Sequence, residues 1–145
     1  MRRNLAVVYV LVDMSAPGTV AGFYTLSASS VPLDTLPDSV ARRLPKYPHV
    51  PVSLVGRLAT DVRYQGQSCG SRLVVDALLR SCTASKQAMG VYAVVVEAKS
   101  DVIAPFYERF GFMRFADTTP PRLFLPITAA KEALRTLLPD EPLED

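Results

Sequence analysis

The chain is poor in the residues that metal and disulfide chemistry require, with one histidine, His49, and two cysteines, Cys69 and Cys82. No C-x-x-C pair or other ligand spacing surrounds them, so neither a zinc site nor a disulfide framework follows and no metal is expected. No apolar run approaches the roughly 18 to 20 residues of a membrane span. The opening Met1-Arg2-Arg3-Asn4-Leu5-Ala6-Val7-Val8 has neither the length nor the cleavage site of a secretion signal, which sets the expectation of a cytoplasmic protein that meets no membrane. Two nucleotide-binding signatures are missing too. There is no G-x-x-x-x-G-K-[ST] and no G-x-G-x-x-G, so the P-loop and dinucleotide-fold readings fail on their own terms.

What is present is a globular composition. At 145 residues, 49% hydrophobic and 21% charged, the chain is long enough for one domain with its own core and too apolar to be disordered. Residues 1–139 read as that domain and residues 140–145 as an acidic tail. Because Asp140, Glu141, Glu144 and Asp145 fall in the tail, residues 1–139 hold all 16 Lys and Arg against 10 acids, a balance of +6. A polyanionic partner is one reading of that excess and an ordinary soluble surface is the other.

The most informative stretch is 57–73, where a strand, a glycine-bearing turn and a helix start follow without a spare residue. Gly66 and Gly70 allow turn conformations and close approach of a ligand, and the first amides of the helix lack intrahelical partners. Together with the positive end of the helix dipole they form a cradle for a phosphate or pyrophosphate.

Around this cradle the pattern predicts a β-hairpin from 6–12 and 20–27, then a Pro-rich irregular segment over 31–51 with a short helix at 38–44. A central strand at 52–61 leads into a helix at 69–88 whose Leu73, Val74, Ala77, Leu78 and Cys82 recur at helical spacing. Gly90 ends that helix. The nearly all-apolar run 91–98 reads as a strand buried on both faces, parallel to the central strand through a βαβ crossover. A helix at 101–110, stopped by Gly111, precedes a closing hairpin of 112–115 and 122–126.

Three segments resemble one family. Gln65-Gly66-Gln67-Ser68-Cys69-Gly70 is similar to the R/Q-x-x-G-x-G/A motif of the GNAT N-acetyltransferases, with Ser68 where that family has a glycine. Asp101-Val102-Ile103-Ala104-Pro105-Phe106-Tyr107-Glu108-Arg109-Phe110-Gly111-Phe112 resembles the GNAT helix that carries a tyrosine and ends in Tyr-x-x-x-Gly-Phe. Ala41-Arg42-Arg43-Leu44-Pro45-Lys46-Tyr47-Pro48, followed by Gly56-Arg57-Leu58-Ala59-Thr60-Asp61, is similar to the GNAT branch that serves as toxins of bacterial toxin–antitoxin pairs. The resemblance covers about residues 9–125.

It implies an α/β (α+β) fold with a mixed, mostly antiparallel sheet, whose central parallel pair splays for the cofactor between flanking helices. It also implies acetyl-coenzyme A as cofactor, with the pyrophosphate on the backbone of Gln65, Gly66, Gln67, Ser68, Cys69, Gly70 and Ser71. The partners implied are aminoacyl-tRNA, a ribbon-helix-helix antitoxin and a second copy of the chain. Members of the branch begin with a strand and one or two helices before the strand placed here at residue 6, so the N-terminal elements are expected to be missing.

Acetyl transfer from a thioester requires a fixed carbonyl, a neutral amine and a proton for the departing thiolate. Leu58, Ala59 and Thr60 on the central strand are the expected backbone contacts for the pantetheine arm. Tyr107 is the expected acid, since a phenol of pKa near 10 stays protonated at neutral pH. As a helical tyrosine packed on the core it would have no such role. Glu97, at its strand end, is a candidate acceptor for the amine proton, and Arg42, Arg43 and Lys46 are candidate phosphate contacts. Their plain readings are an exposed carboxylate and a solvated basic helix. His49 reads as a loop residue and Cys69 as no nucleophile. The function expected is acetylation of the α-amine of aminoacyl-tRNA, which blocks translation. The alternatives are a small-molecule or protein amine as acceptor, or a shortened scaffold without turnover.

Overall fold

The computed structural model describes residues 6–44, 46–87, 90–116 and 118–138. Among them six strands form one sheet in the order β1-β2-β3-β4-β6-β5. β1 (Val7–Val12) and β2 (Val20–Pro32) are the expected hairpin, antiparallel from Val7 opposite Leu26 to Val12 opposite Val20. β3 (His49–Thr60) pairs antiparallel with β2 on one side and parallel with β4 (Ala93–Glu97) on the other. α2 (Cys69–Gln87) makes the crossover between β3 and β4. β6 (Arg122–Pro126) runs antiparallel to β4 and to the two-residue β5 (Met113–Arg114). The sheet is therefore mixed and mostly antiparallel, with one central parallel pair.

Side-chain alternation along β4 fills a core on each face. Val94 and Val96 join Leu73, Val74, Ala77, Leu78 and Cys82 of α2, while Ala93 and Val95 join Val31, Val50 and Val52 on the reverse side. A strand covered on both faces needs apolar residues throughout, which is why this run does not alternate with polar ones.

Several boundaries differ from the sequence reading. The Pro-rich segment is shorter than 31–51, because β2 runs on to Pro32 and β3 already begins at His49. Pro51 sits inside β3 without penalty: β4 pairs with β3 only from Val52 onward, so the missing N–H falls outside that ladder. The helix in this segment, α1, is one turn at Asp38–Ala41 rather than 38–44. α3 is likewise confined to Ala104–Glu108 rather than 101–110, since Pro105 has no amide to donate and belongs in a first turn. The strand after Gly111 is two residues instead of 112–115.

One element was not anticipated. α4 (Ile127–Leu137) follows β6 directly and buries Ile127, Ala130 and Leu134 against α2. The i, i+3, i+7 spacing of those three residues was the available signal. The expected tail 140–145 and the last residue of the expected helix 69–88 lie outside the described residues.

Candidate active site

The site grows from a bulge in β3. Tyr24 pairs with Leu58 but Leu26 pairs with Val55, so β3 carries one more residue than β2 across this interval. The amide of Arg57, displaced from the ladder, donates instead to Thr25 Oγ1 at 3.0 Å. A bulge bends its strand and increases the local twist. Here the bend begins at the point where parallel pairing with β4 stops, at Val55 opposite Val96. Beyond it β3 and β4 diverge and leave a cleft of about 910 Å³.

Leu58, Ala59 and Thr60 form the β3 wall of this cleft. Its mouth is the turn after β3, where Gln65, Gly66, Ser68, Cys69, Gly70 and Ser71 all face the cavity. Gly66 has φ +83° and Ser68 φ +64°, so two left-handed residues turn the chain into α2. The first helical hydrogen bond runs from the Arg72 amide to the Ser68 carbonyl at 3.1 Å. The amides of Cys69, Gly70 and Ser71 therefore have no intrahelical acceptor.

Ser68 does not cap the helix through its hydroxyl: a capping serine has extended backbone, and among the described residues this hydroxyl accepts no hydrogen bond from a helix amide. The turn does not demand glycine at position 70, whose φ is not left-handed, and a Cβ there would make ordinary van der Waals contacts. A Cβ there would stand 3.4 Å from Phe106 Cζ and 3.8 Å from Thr60 Oγ1, on the cradle floor.

The loop into the cradle is pinned to the β1–β2 hairpin. The Asp61 amide donates to the Ala21 carbonyl at 2.8 Å, and the Asp61 carboxylate accepts from the Arg63 amide, Nε and Nη2. The Tyr64 hydroxyl donates to Asp13 Oδ2 at 2.6 Å. The Ser15 hydroxyl, and after it Tyr64, hold the Asp13 carboxyl below its usual range. The tie between Tyr64 and Asp13 was not anticipated, because 51 residues separate them.

Tyr107 lies on the opposite wall, contributed by α3. Its ring is buried edge-on between Phe106, at 5.1 Å between centroids, and Phe112, at 5.9 Å. Burial pushes its pKa up to about 12. Glu97 closes the cleft at the end of β4, 3.8 Å from Arg122 Nε on the neighbouring strand.

Not every candidate meets here. The Gln67 side chain points away and donates to the Arg63 carbonyl at 3.5 Å. Arg42, Arg43 and Lys46 are exposed near α1 and do not line the cleft; Lys46 borders a separate hollow of about 590 Å³ together with His49. His49 opens β3, so it is a strand residue and not a loop one. From there to Gly56 the strand rises about 23 Å at ~3.3 Å per residue. Cys69 and Cys82 are both free and buried, and burial pushes the Cys82 thiol up.

A long, flexible, pyrophosphate-bearing cofactor fits this arrangement. The pyrophosphate can meet three unpaired amides over a floor that lacks a Cβ, and an amide-bearing arm can lie along the edge of β3 that the splay leaves without a partner.

No family model matches the chain. Among curated proteins it is 38% identical over 114 residues to a tRNA-acetylating toxin of Mycobacterium tuberculosis, a match that covers 79% of this chain. The chain spans 66% of that toxin's length. Among solved structures, AtaT complexed with acetyl-methionyl-tRNAfMet is 30% identical with a TM-score of 0.78, covering 88% of this chain and 74% of that one. AtaTR bound with acetyl-CoA is 30% identical with a TM-score of 0.72, covering 88% of this chain and 73% of that one.

Proposed function

The chain belongs to the GNAT acetyltransferase toxins of bacterial toxin–antitoxin systems, and from that premise we propose that it moves an acetyl group from acetyl-coenzyme A to the α-amine of aminoacyl-tRNA, blocking translation. The observation that carries the reading is the joint placement of the splayed strands, the amide cradle at their mouth and Tyr107 across from them.

When bound, the cofactor supplies a thioester carbonyl open to attack by a neutral amine. The amides of Cys69, Gly70 and Ser71, with the dipole of the 19-residue helix behind them, hold the pyrophosphate. The free backbone of Leu58, Ala59 and Thr60 orients the pantetheine amides. Tyr107, its hydroxyl kept protonated by burial, would give a proton to the departing sulfur as general acid, and Glu97 at the cleft rim would accept the proton that the attacking nitrogen loses and return it to the phenolate.

Arg42, Arg43 and Lys46 precede β3 and do not line the cleft that would receive the reacting amine. In this reading they meet backbone phosphates of the tRNA body while its aminoacyl end enters the cleft. The setting is the cytoplasm, and among the described residues no helix is long and apolar enough to cross a membrane. The test offers labelled acetyl-coenzyme A to the protein with a pool of aminoacyl-tRNAs, free amino acids and a peptide. Label in the tRNA fraction is the expected result. Label confined to amino acids or peptide would transfer the function to a small-molecule or protein acceptor.

A further inference from the structure

Glu97 and Arg122 face one another as the last pair of the β4–β6 ladder. Glu97 falls in step with Ala93 and Val95, and Arg122 with Phe124, so both side chains leave the sheet on the face away from α2. Tyr107 belongs to the core on the α2 face. The expected acid and the expected proton acceptor thus reach the splay from opposite sides of the sheet.

The segment that carries Arg122 is fixed on both flanks. The Ala98 amide donates to the Pro121 carbonyl at 2.9 Å, and the Phe115 amide donates to the Arg122 carbonyl at 3.2 Å. The guanidinium carbon lies 5.8 Å from the centroid of the Phe115 ring, which Phe124 braces edge-on at 5.4 Å. Long cationic side chains ordinarily carry their polar atoms to water. Here Nε is sealed from solvent and has no hydrogen-bond partner. A buried donor without an acceptor is costly, and among the described residues the one ion-pair partner of Arg122 is Glu97 Oε2 at 3.8 Å, too long for a hydrogen bond. A small turn of the Glu97 side chain, which is 41% exposed, would close that distance. The other oxygen, Oε1, has no hydrogen-bond partner among the described residues.

We propose that Arg122 is a positioning residue for acetyl transfer: it holds Oε2 so that the Glu97 carboxylate is fixed at the cleft rim with Oε1 left to take the amine proton. The inference rests on the proposed transfer to an amine and adds the residue that orients the proton acceptor. Arg122 does not line the cleft, so its effect on the reaction passes through Glu97.

Two measurements test it. In the cofactor-free protein the Arg122 Nε–H signal of a proton–nitrogen NMR spectrum should exchange slowly with solvent and should move on Glu97→Gln. A signal indifferent to that substitution overturns the pairing. In turnover with saturating acetyl-coenzyme A and the acceptor that the wild type uses, Arg122→Gln should lower kcat about ten- to hundredfold and leave acetyl-coenzyme A affinity unchanged. Arg122→Lys, which keeps a cation beside Phe115, should recover part of the loss. Combined with Glu97→Gln, neither Arg122 variant should slow the enzyme further, because nothing is left to position. The Lys variant completes this cycle whether or not the Gln variant folds. Losses that multiply in the double variants, or wild-type kcat in Arg122→Gln, overturn the proposal while the acetyltransferase reading stands. Absence of turnover by the wild type with every amine offered overturns that reading and the positioning role with it.

Discussion

Ser68→Gly should make the protein more stable, although it deletes a side chain from the mouth of the cleft. Ser68 has φ +64°. For a residue with a Cβ this left-handed backbone costs roughly 1–2 kcal/mol, and glycine escapes the cost. Glycine also loses more freedom on folding, which returns about 0.4–1 kcal/mol. The net gain is on the order of 0.5–1 kcal/mol, or about 1–4 °C in Tm for a chain of this size. Gly66→Ala is the mirror test. Gly66 has φ +83° and a Cβ there would meet nothing within 4 Å, so strain acts alone and Tm should fall by a similar amount. Scanning calorimetry measures both variants, and titration with acetyl-coenzyme A measures the cradle. Affinity in Ser68→Gly should equal or exceed that of the wild type, because the amides of Cys69, Gly70 and Ser71 remain. A lower Tm would refute the strain argument, and a more than tenfold loss of affinity would show that the serine hydroxyl, rather than the backbone alone, holds the ligand.

Gly22→Ala should cost about 1–3 kcal/mol by overpacking. Its Cβ would lie 2.8 Å from the Ala59 carbonyl and 3.0 Å from Leu73 Cδ1, so cofactor affinity should drop along with Tm; unchanged values for both would contradict the packing. Tyr107→Phe should lower kcat by about a hundred- to ten-thousandfold with the fold and cofactor affinity intact, and wild-type turnover would remove Tyr107 from the chemistry. Since the hydroxyl keeps its proton until about pH 12, above the ordinary phenol value near 10, kcat/KM should rise as the acceptor amine deprotonates and show no falling limb near pH 10 from Tyr107. Replacing Arg42, Arg43 and Lys46 together by alanine should raise KM for tRNA and flatten its salt dependence without altering cofactor affinity; an unchanged salt slope would free that surface of any role.

The parts of the site that were legible in the sequence are contiguous. The turn at Gln65–Gly70 and the helix with Tyr107 each declare themselves in about a dozen neighbouring residues, and the periods of α2 and β4 fix the crossover between them. What stayed hidden depends on contacts distant in sequence. The bulge at Arg57 requires Thr25, the anchoring of Tyr64 requires Asp13, and the need for glycine at position 22 lies in Ala59 and Leu73. Proline misled the reading in both directions. Pro51 proved compatible with β3 because of where β4 begins, whereas Pro105 shortened α3. The left-handed backbone at Ser68 was concealed because its residue type does not announce it. Arg42, Arg43 and Lys46, candidate phosphate contacts in the sequence, precede β3 and do not line the cleft.

The central claim is that the splay between β3 and β4 is the acetyl-coenzyme A site, and amide chemical shifts on titration with the cofactor test it most directly. The account predicts the largest shifts at Gly66, Ser68, Cys69, Gly70 and Ser71, with a second set at Leu58, Ala59 and Thr60, and little change along α4. Shifts gathered instead around Leu33, Lys46 and His49, at the second hollow, or no shifts at saturating cofactor, would contradict it.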